Sequence, residues 1–370
     1  MRILSVSMDR SIADKTSAAA DRQRAYYDGW DVDIIIIAKG DPQIVDLAPG
    51  LKVHVSGGTT KFSALMKGRR LARCLAKEKH PDVVTAQDPL WSGRVASSAA
   101  CASGAALHIQ DHSGFFARKP FGMMEKCLAP SARRIARRAD RIRTVSERGA
   151  RGLENIGVDE KRIDIIPIAT DLRIFNVSGD ANYEKFKVLC VARLEPEKGV
   201  DVLLKAWKEI TDDYLNDKNS PKPYLRIIGD GSLRKKLEKK VNELGIDEFV
   251  RFKGKQNHES VYAEIADSSI VVQPSYFEGW GLSVIEAAAA GRPVVMTDVG
   301  AAGEIIVDKV SGRVVHVGDI SAFAQAIRDV FTDVLERDKY IKEAKLRVQK
   351  LPTPEQTVDL IRQSFEKTAH

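Results

Sequence analysis

The chain has 370 residues, of which 44% are apolar and 29% charged. This length is too great for one ordinary α/β domain and suits two, each large enough to bury its own core. No run of about eighteen apolar residues is present, so the composition is that of a globular protein and excludes a membrane-spanning helix. Because the first ten residues also lack the apolar stretch and cleavage site of a signal peptide, we expect a cytoplasmic protein.

The net charge of +7 is unevenly distributed along the chain. Residues 1–180 contain 29 Lys or Arg and 21 Asp or Glu, whereas residues 181–370 contain 29 and 30. The excess of positive charge is concentrated at 61–79 and 130–151. A basic face limited to one half of the chain suits an anionic membrane surface, a phosphate-bearing acceptor or nucleic acid.

Cysteine and histidine spacing gives no indication of a metal site. The cysteines lie far apart and are flanked mainly by alanine or aliphatic residues, so we expect them to be reduced and to behave as small hydrophobes. None of the seven histidines shows a ligand spacing such as H-x-x-x-H. The four cysteines are Cys74, Cys101, Cys127 and Cys190.

In the first half, β-branched strands alternate with polar turns and amphipathic helices, which predicts a parallel sheet covered on both faces. A dinucleotide-binding turn would need glycines directly after the first strand, where the backbone approaches a pyrophosphate. Residues 9–21 contain none, which argues against a nicotinamide-dependent enzyme. The predicted strands are 2–8, 31–38, 51–56, 81–87, 106–112, 141–146 and 162–168.

A polar stretch at 169–186 interrupts this pattern, and a second Rossmann-like set follows it. Its predicted strands are 187–193, 224–230, 249–255, 269–275, 292–298 and 312–317, with helices between them such as 199–210 and 232–245. The glycines of 229–232 either form a turn before a helix or contact a phosphate. We therefore predict an N-terminal domain over 1–170, a linker over 171–186, a C-terminal domain over 187–352 and a final segment over 353–370.

The segment 273–306 is the most informative part of the sequence. A strand ends at Ser275, a glycine-containing loop follows, and a helix starts near Ser283 with Glu286 on its first turn. Glycines let the backbone pass close to a ligand, and a helix N-terminus presents unpaired N–H groups to an anion. The pattern predicts a phosphate-binding loop with two carboxylates beside it. The loop residues are Glu278, Gly279, Trp280 and Gly281.

Each carboxylate also has a purely structural explanation. Ser283 and Glu286 have the spacing of a capping box, in which the glutamate only satisfies a backbone N–H at the start of the helix. Glu278 alone fits a solvated acid in a surface loop. The residues themselves leave both alternatives open.

Taken together, Glu278, the seven residues after it and Glu286, within FEGWGLSVIEAAAAGRPVV, resemble the signature of glycosyltransferase family 4, the group 1 retaining enzymes of GT-B fold. The resemblance covers nearly all of 185–320 and, more loosely, the N-terminal half. It implies an α/β fold of GT-B type, with two Rossmann-like domains facing each other across a cleft. It also implies that 353–370 packs back on the N-terminal domain.

The resemblance implies a role for each residue of the loop. The first glutamate of the family motif lies against the donor sugar, which assigns Glu278 to catalysis, and the second holds the ribose hydroxyls, which assigns Glu286 to the nucleoside. The remaining residues would meet the donor sugar or the diphosphate through their backbone. They are Gly279, Trp280, Gly281, Leu282 and Ser283.

A basic pair belongs to the same family pattern. Arg193 at a strand end and Lys198 just before a helix would clamp the diphosphate, whose negative charge grows as the anomeric bond breaks. The alternative is two solvated bases in a loop that also contains Glu195 and Glu197. Since the sequence shows no metal site, these side chains would supply the cations, and we expect no metal ion and no cofactor.

The segment 107–116 resembles the family's N-domain strand that ends in a histidine facing the cleft, and His112 is the matching residue. We expect His112 to contact the donor sugar, with Asp111 either orienting its ring or capping the loop. A structural histidine at a strand end is the alternative. Residues 12–27 depart from the family, because many members have a Gly-Gly loop after the first strand.

The implied activity is retaining transfer of a hexose-type sugar from a nucleotide-diphosphate sugar to a glycan or lipid-linked glycan. The basic N-terminal domain would bind the inner face of the cytoplasmic membrane peripherally, and nucleic acid is not expected as a partner. A different GT-B enzyme such as an epimerase, a glycosidase using Glu278 and Glu286, and a non-enzymatic basic protein binding membrane or nucleic acid are the alternatives.

Overall fold

The computed structural model describes residues 1–175, 185–217 and 221–370. These residues form two compact units, of which the first comprises Met1–Ala169 with Pro352–His370 and the second Thr170–Leu351. Most of the predicted linker 171–186 lies outside the described residues. Each unit has a mainly parallel sheet with strand order typical of doubly wound folds, which confirms the two predicted Rossmann-like domains.

The first unit is built on an eight-stranded sheet of order β3-β4-β2-β1-β5-β6-β7-β8. Most of these strands are buried on both faces, as a parallel sheet covered by helices requires. The strands are β1 Arg2–Ser7, β2 Asp31–Ile36, β3 Gln43–Ala48, β4 Leu51–Val55, β5 Val83–Ala86, β6 Ala106–Asp111, β7 Arg141–Thr144 and β8 Ile163–Ile165. The helices are α1 Ala18–Tyr27, α2 Lys61–Lys79, α3 Trp91–Ser103, α4 Gly122–Arg138 and α5 Glu147–Asn155.

Strand β3 was not predicted, and the prediction of an all-parallel sheet is wrong at this edge. β3 pairs antiparallel with β4 through a two-residue turn at Pro49 and Gly50. Gly50 has φ +75°, and a Cβ there would lie 2.9 Å from the carbonyl oxygen of Trp30. The Pro-Gly pair therefore closes a hairpin. The apolar alternation of β3 is too weak for the sequence to predict it.

Helices α2, α3 and α4 lie on one face of this sheet and share a buried cluster with it. Small residues such as Ala72, Ala99 and Ala136 line their inward faces, so the helices approach the strands closely. Helix α1 belongs to a second cluster with the side chains of β2 and β4. The strands thus lie between two helical layers.

The second unit has a six-stranded parallel sheet of order β11-β10-β9-β12-β13-β14. The neighbouring strands β9 and β12 are central, and the chain continues from β9 toward one edge of the sheet and from β12 toward the other. In open α/β sheets, ligands bind beside such a topological switch point. The strands are β9 Phe186–Val191, β10 Pro223–Ile228, β11 Val250–Gly254, β12 Ile270–Gln273, β13 Val294–Thr297 and β14 Arg313–Val315. The helices are α6 Val200–Asn216, α7 Arg234–Leu244, α8 His258–Ala266, α9 Leu282–Ala289, α10 Ile320–Thr332 and α11 Val334–Val348.

The last helix, α12 (Pro354–Ala369), belongs to the first unit although it follows the whole of the second in the chain. A capping box between Thr353 and Gln356 starts it. Ile361 and Phe365 are buried in the cluster that also contains α1. Ser364 donates to Asp164 Oδ2 at 2.6 Å, so its Oγ accepts a hydrogen bond at 3.1 Å from Nε2 of the buried His108 in β6.

All four cysteines are free thiols, but three of them do not have the buried position typical of a small hydrophobe. Cys190 is buried in β9, but Cys74, Cys101 and Cys127 are exposed on α2, α3 and α4. Alanines near Cys74 and Cys101 face the core while these thiols are exposed, a distinction that composition alone does not make. Across the described ranges, every helix is too short or too polar to cross a bilayer.

Candidate active site

Glu278 lies in the loop after β12 and is held by three donors. Its Oε1 accepts from Lys198 Nζ at 2.7 Å, from Ser275 Oγ at 2.9 Å and from Gln273 Nε2 at 3.4 Å. Only 12% of the Glu278 side chain and 15% of the Lys198 side chain are exposed. The alternative of a solvated loop acid is therefore wrong, because this carboxylate is a preorganised, partly buried anion.

Lys198 reaches Glu278 because β9 and β12 are neighbours and their following loops pack together. Lys198 ends a 3-10 turn, and the next residue, Gly199, has φ +62°. A Cβ on Gly199 would lie 2.2 Å from the carbonyl oxygen of Pro274, so only glycine permits this approach. The Tyr276 N–H also donates to the Glu197 carbonyl at 2.8 Å. Two loops 80 residues apart in sequence thus form one rigid surface.

Arg193 lies in the same loop as Lys198, but the structure does not bring it to Glu278. Its guanidinium pairs with Glu197 at 2.8 Å, and 68% of the side chain is exposed. Exposed pairs of this kind contribute little to stability, so Arg193 can exchange Glu197 for another anion at small cost. Of the predicted basic pair, the structure therefore encloses the lysine and leaves the arginine exposed.

The glycines of 229–232 serve contacts inside the protein. A Cβ on Gly229 would lie 1.9 Å from the carbonyl oxygen of Ala192, and one on Gly231 would lie 2.5 Å from that of Leu194. Ser232 donates from its backbone N–H and its hydroxyl to Glu195. These bonds lower the pKa of Glu195 and attach the loop after β10 to the loop after β9. The turn explanation of this segment is the better one.

Helix α9 begins without a side-chain cap, so the capping-box alternative for Ser283 and Glu286 is wrong. Gly281 is the N-cap, with φ +89°, and a Cβ there would lie 2.7 Å from Gln273 Oε1. In the described part of the chain, the backbone N–H groups of Leu282 and Ser283 have no acceptor. The positive end of the helix therefore has unpaired donors, as a phosphate site requires.

A third loop supports this turn from the side of β13. The Ala301 N–H donates to the Trp280 carbonyl at 2.9 Å. Gly300 has φ +55°, and a Cβ there would lie 2.6 Å from the same carbonyl oxygen. Gly279 and Trp280 are buried, so the protein core fixes the backbone of the predicted donor loop.

Glu286 has a different environment from Glu278. It lies on the second turn of α9, not the first, and burial raises its pKa to about 7. Burial, then the negative charges of Glu286 and Asp171, raise the pKa of Tyr262, whose ring meets that of Phe175 edge-on at 4.3 Å. Within the described residues, Glu286 has no hydrogen-bond donor. A half-buried carboxylate without a protein donor is an acceptor available to ligand hydroxyl groups.

His112 follows β6 in the first unit and is half-buried. Burial, then the charge of Arg143, lower its pKa to about 3, so the imidazole is neutral at physiological pH. Its Nε2 lies 3.1 Å from Gln110 Oε1. Asp111 does not orient the ring: its Oδ1 accepts from the N–H groups of Ser113 and Phe115, which makes it the loop cap.

The loop after β1 shows how this chain replaces a glycine-rich turn. Asp9 caps a short 3-10 turn, Arg10–Ala13, by accepting from the Ser11 N–H. Ser17 then caps α1 by accepting from the Ala20 N–H. Side-chain oxygens occupy backbone N–H groups that a Gly-Gly loop leaves free for a ligand.

Four residues around the site were not predicted from the sequence. Gln273 and Ser275 donate to Glu278, while Gln110 contacts His112 and accepts from Arg143. Each is a polar residue at or near the end of a buried strand, which is the sequence signal that marks them. Among the residues described, His, Cys, Asp and Glu form no group of three or more suited to a metal ion.

Two family models match this chain. "Glycosyl transferases group 1" matches residues 174–347, and "Glycosyl transferase 4-like domain" matches residues 19–169. The D-inositol 3-phosphate glycosyltransferase of Mycolicibacterium smegmatis is 30% identical over 226 residues, covering 57% of this chain and 48% of that protein.

A second relative from the same organism is the GDP-mannose-dependent alpha-(1-6)-phosphatidylinositol monomannoside mannosyltransferase. It is 32% identical over 153 residues, covering 40% of this chain and 38% of that protein. The chain therefore matches less than half the length of these curated relatives.

Solved structures agree with the fold over the whole chain. Sucrose-phosphate synthase from Thermosynechococcus elongatus matches with a TM-score of 0.80 at 20% identity, covering 99% of this chain and 98% of that one. Anabaena HepE in complex with UDP-glucose matches with a TM-score of 0.76 at 19% identity, with the same coverage of 99% and 98%. At these identities the likeness concerns the fold alone.

Proposed function

Because the chain belongs to the group 1 glycosyl transferases, we propose that it transfers a hexose-type sugar, with retention, from a nucleotide-diphosphate sugar to a glycan or lipid-linked glycan. The observation that carries this proposal is the group formed by Lys198, Glu278 and the uncapped N-terminus of α9. It combines a cation, free N–H donors and a carboxylate at the switch point of the second sheet.

The diphosphate of the donor would lie at the N-terminus of α9 and take Lys198 as its counter-ion. Glu278 then exchanges that lysine for hydroxyl groups of the sugar, while Glu286 accepts from the ribose hydroxyls. Gln273 and Ser275 keep Glu278 in place during the exchange, since both donate to it without the ligand. Arg193 is the second candidate cation because its pair with Glu197 is exposed.

In the chemical step, the bond between the anomeric carbon and the diphosphate oxygen breaks, and the electron pair goes to the diphosphate. The acceptor hydroxyl approaches from the same side and bonds to that carbon, and its proton passes to the departing phosphate. Positive charge that develops on the sugar is stabilised by Glu278, and negative charge on the phosphate by Lys198 and the helix N-terminus. His112, as a neutral imidazole, would contact the donor sugar from the first unit.

Two names among the matches indicate the substrate classes. HepE was crystallised with UDP-glucose, and the second relative is named as a GDP-mannose-dependent mannosyltransferase of phosphatidylinositol monomannoside. We propose a nucleotide-diphosphate hexose as donor, and an acceptor presented at an anionic membrane to which the basic first unit binds peripherally. Nucleic acid is not a proposed partner.

The decisive experiment has two stages. A thermal-shift screen against UDP-, GDP- and ADP-hexoses identifies the donor, and release of the nucleoside diphosphate is then measured with and without glycan or lipid-linked acceptors. We expect release to depend on the acceptor and the product to keep the donor's anomeric configuration by NMR. Release without any acceptor, together with free epimerised sugar, would favour the epimerase alternative.

Metal independence is part of the proposal. Because a lysine and a helix N-terminus supply the positive charge, we expect EDTA to leave turnover unchanged. The assay is diphosphate release after chelation, with Mg²⁺ or Mn²⁺ restored as the comparison. Strict dependence on either ion would contradict the assignment of Lys198.

A further inference from the structure

The outer surfaces of α2, α3 and α4 combine exposed apolar side chains with unpaired cations. Helix α2 contains seven Lys or Arg and one acid, and α4 contains five and one. Phe62 is 72% exposed at the start of α2, and Met123 is 75% exposed at the start of α4. We call this surface the α2–α4 face. Its members used below are Phe62, Met66, Arg70, Arg73, Lys77, Met123, Met124, Arg133 and Arg134.

The apolar and basic residues occupy different ends of the α2–α4 face. In a parallel α/β sheet, each helix runs back from the carboxyl end of the preceding strand. Phe62, Met123 and Met124 lie in the first turn of their helices and Met66 lies in the second turn of α2, so all four are near the sheet edge where His112 follows β6. The cations lie further along the helices. The apolar part of the face is therefore at the edge that carries the candidate site residue.

Within the described residues, the five cations of the face make no ion pair and no hydrogen bond to the protein. Arg137, in the same basic stretch 130–151, is different, because its Nε donates to the Ile156 carbonyl at 2.5 Å. Between α2 and α3, a groove of about 580 Å³ is lined by Phe62, Leu65 and Trp91. An exposed apolar groove with a cationic border is complementary to a lipid layer that carries negative headgroups.

We propose that the α2–α4 face binds an anionic lipid bilayer, with Phe62, Met66, Met123 and Met124 inserted among the acyl chains and the cations on the headgroups. RNA would use the cations but would leave aliphatic methionines in water, so it fits the face less well. The inference deepens the proposed function, on which it rests only for the link to a lipid-linked acceptor. It positions the His112 edge of the first unit at the membrane surface.

The first test measures co-sedimentation with phosphatidylcholine vesicles that contain or lack phosphatidylglycerol. Each basic residue near such a surface contributes about fivefold in affinity, so R70Q, R73Q and K77Q together should weaken binding about a hundredfold. The matched control replaces three exposed lysines of α7, K235Q, K236Q and K239Q, and should bind like wild type. Binding by wild type must fall with salt.

Phe62→Gln with Met66→Gln tests insertion separately from charge and should weaken binding on the order of tenfold. The native cysteines supply a second measurement, since Cys74, Cys101 and Cys127 are exposed on these three helices and Cys190 is buried. Anionic vesicles should slow maleimide labelling of the three exposed thiols, and neutral vesicles should not.

Three results would overturn the inference: no binding of wild type to anionic vesicles at low salt, equal binding by the triple variant, or unchanged labelling. Tight binding to single-stranded RNA that persists in the Phe62 and Met66 variant would assign the face to nucleic acid instead. These assays use no sugar nucleotide. Lipid binding without any diphosphate release would therefore leave this inference intact while the proposed function fails.

A second inference concerns which ring nitrogen His112 presents to a ligand. Arg143 is buried, and its pKa is lowered by burial only to about 10, so it stays charged. Its Nη1 donates to Gln110 Oε1 at 3.2 Å, while Nε and Nη2 donate to the carbonyls of Ile166 and Pro167. Because guanidinium nitrogens only donate, the Gln110 atom between Arg143 and His112 must be the amide oxygen.

The structure assigns Arg143 and Gln110 as positioning residues for His112. An oxygen that already accepts from Arg143 can only accept again, so His112 Nε2 must carry the proton. Nδ1 is then left with its lone pair and, among the described groups, no donor. His112 would therefore accept a hydroxyl hydrogen of the donor sugar at Nδ1; this role rests on the proposed function.

The test reads the tautomer directly. Two-dimensional ¹⁵N NMR of the ligand-free protein at neutral pH, with His112→Gln to assign the signal, should show the Nε2-protonated form. Gln110→Met removes the acceptor and should shift His112 toward a tautomer mixture, whereas Gln110→Glu should instead raise the histidine pKa and shift the pH profile of turnover. An Nδ1-protonated ring in wild type, or identical histidine spectra in all variants, would overturn the assignment. The spectra require no activity, so they stand apart from the proposed function.

Discussion

Glu278 and Glu286 belong to one motif, yet the loop and the helix that carry them give the two carboxylates opposite properties. Glu278 accepts from Lys198, Ser275 and Gln273 before any ligand arrives. Glu286 has no donor among the described residues, and burial raises its pKa to about 7. The difference teaches that spacing in the sequence brings the two carboxylates to one loop and helix. Their surroundings decide that one is an anion already held by protein donors and that the other is free to accept from ligand hydroxyl groups.

The largest expected effect is on the fixed anion and its cation. Lys198→Ala and Glu278→Ala should each lower turnover on the order of 10²–10³, because a preorganised charge is lost from the site. Lys205→Ala, an exposed lysine on the adjacent α6, is the matched control and should be silent. Initial rates of diphosphate release measure this, with circular dichroism to verify folding. Wild-type rates in both site variants would show that turnover does not need the Lys198–Glu278 pair, and would contradict the role given to Glu278 as a fixed anion.

Glu286→Ala should act mainly on donor affinity. An acceptor for ligand hydroxyls that is missing usually costs a few kcal/mol at most, so we expect about ten- to a hundredfold weaker binding of the sugar nucleotide. Calorimetric titration with the nucleoside diphosphate and with the full donor measures it. Equal affinity for wild type and variant would show that Glu286 does not meet the ribose.

Gly281→Ala should disturb Glu278 and spare Glu286. The new Cβ would sit 2.7 Å from Gln273 Oε1 at φ +89°, so Gln273 must move away from the carboxylate that it holds. We expect turnover to fall about tenfold and stability to fall by about 1 kcal/mol from the left-handed backbone. Gly245→Ala at the end of α7, with φ +65° and open space around the site, controls for the backbone effect alone. Equal losses of turnover in the two variants would contradict a specific role of Gln273.

The smallest effect concerns stability. Since the folded-state pKa of Glu286 is raised, the folded protein keeps a proton that the unfolded chain releases between about pH 4.5 and 7. Stability is therefore lost as pH rises through this window. Glu286→Gln removes the penalty and should raise the free energy of unfolding by about 1–2 kcal/mol at pH 8, with little change at pH 4.5. Urea titrations at both pH values measure it, and a pH-independent difference would exclude the titration as its cause.

The sequence predicted the strands, both Rossmann-like domains and the loop that carries Glu278, since these follow from local pattern and a contiguous motif. It could not predict that Glu278 pairs with Lys198, because this contact requires β9 and β12 to be neighbours in the sheet. The support from Gln273 likewise depends on the path of the loop at Gly281.

The exposed thiols and the antiparallel β3 were missed for a related reason. Cys74 has the same flanking alanines as a core residue, and only the packing of α2 on α3 decides which side of the helix faces outward. For β3, the Pro49 and Gly50 turn was visible, but its weak apolar pattern did not distinguish an edge strand from a loop.

The position of α12 has a consequence for synthesis on the ribosome. Phe365 and Ile361 of α12 complete the core of the first unit, whose strands all precede residue 170. This core is therefore incomplete until the ribosome has synthesised the whole second unit and then α12. The part of the first sheet that α12 covers, over β5, β6 and β7, stays exposed while about half the chain is translated, and the second unit can fold during this interval. Nascent chains stalled before residue 352 should therefore offer chaperones an apolar sheet surface that the released protein never shows.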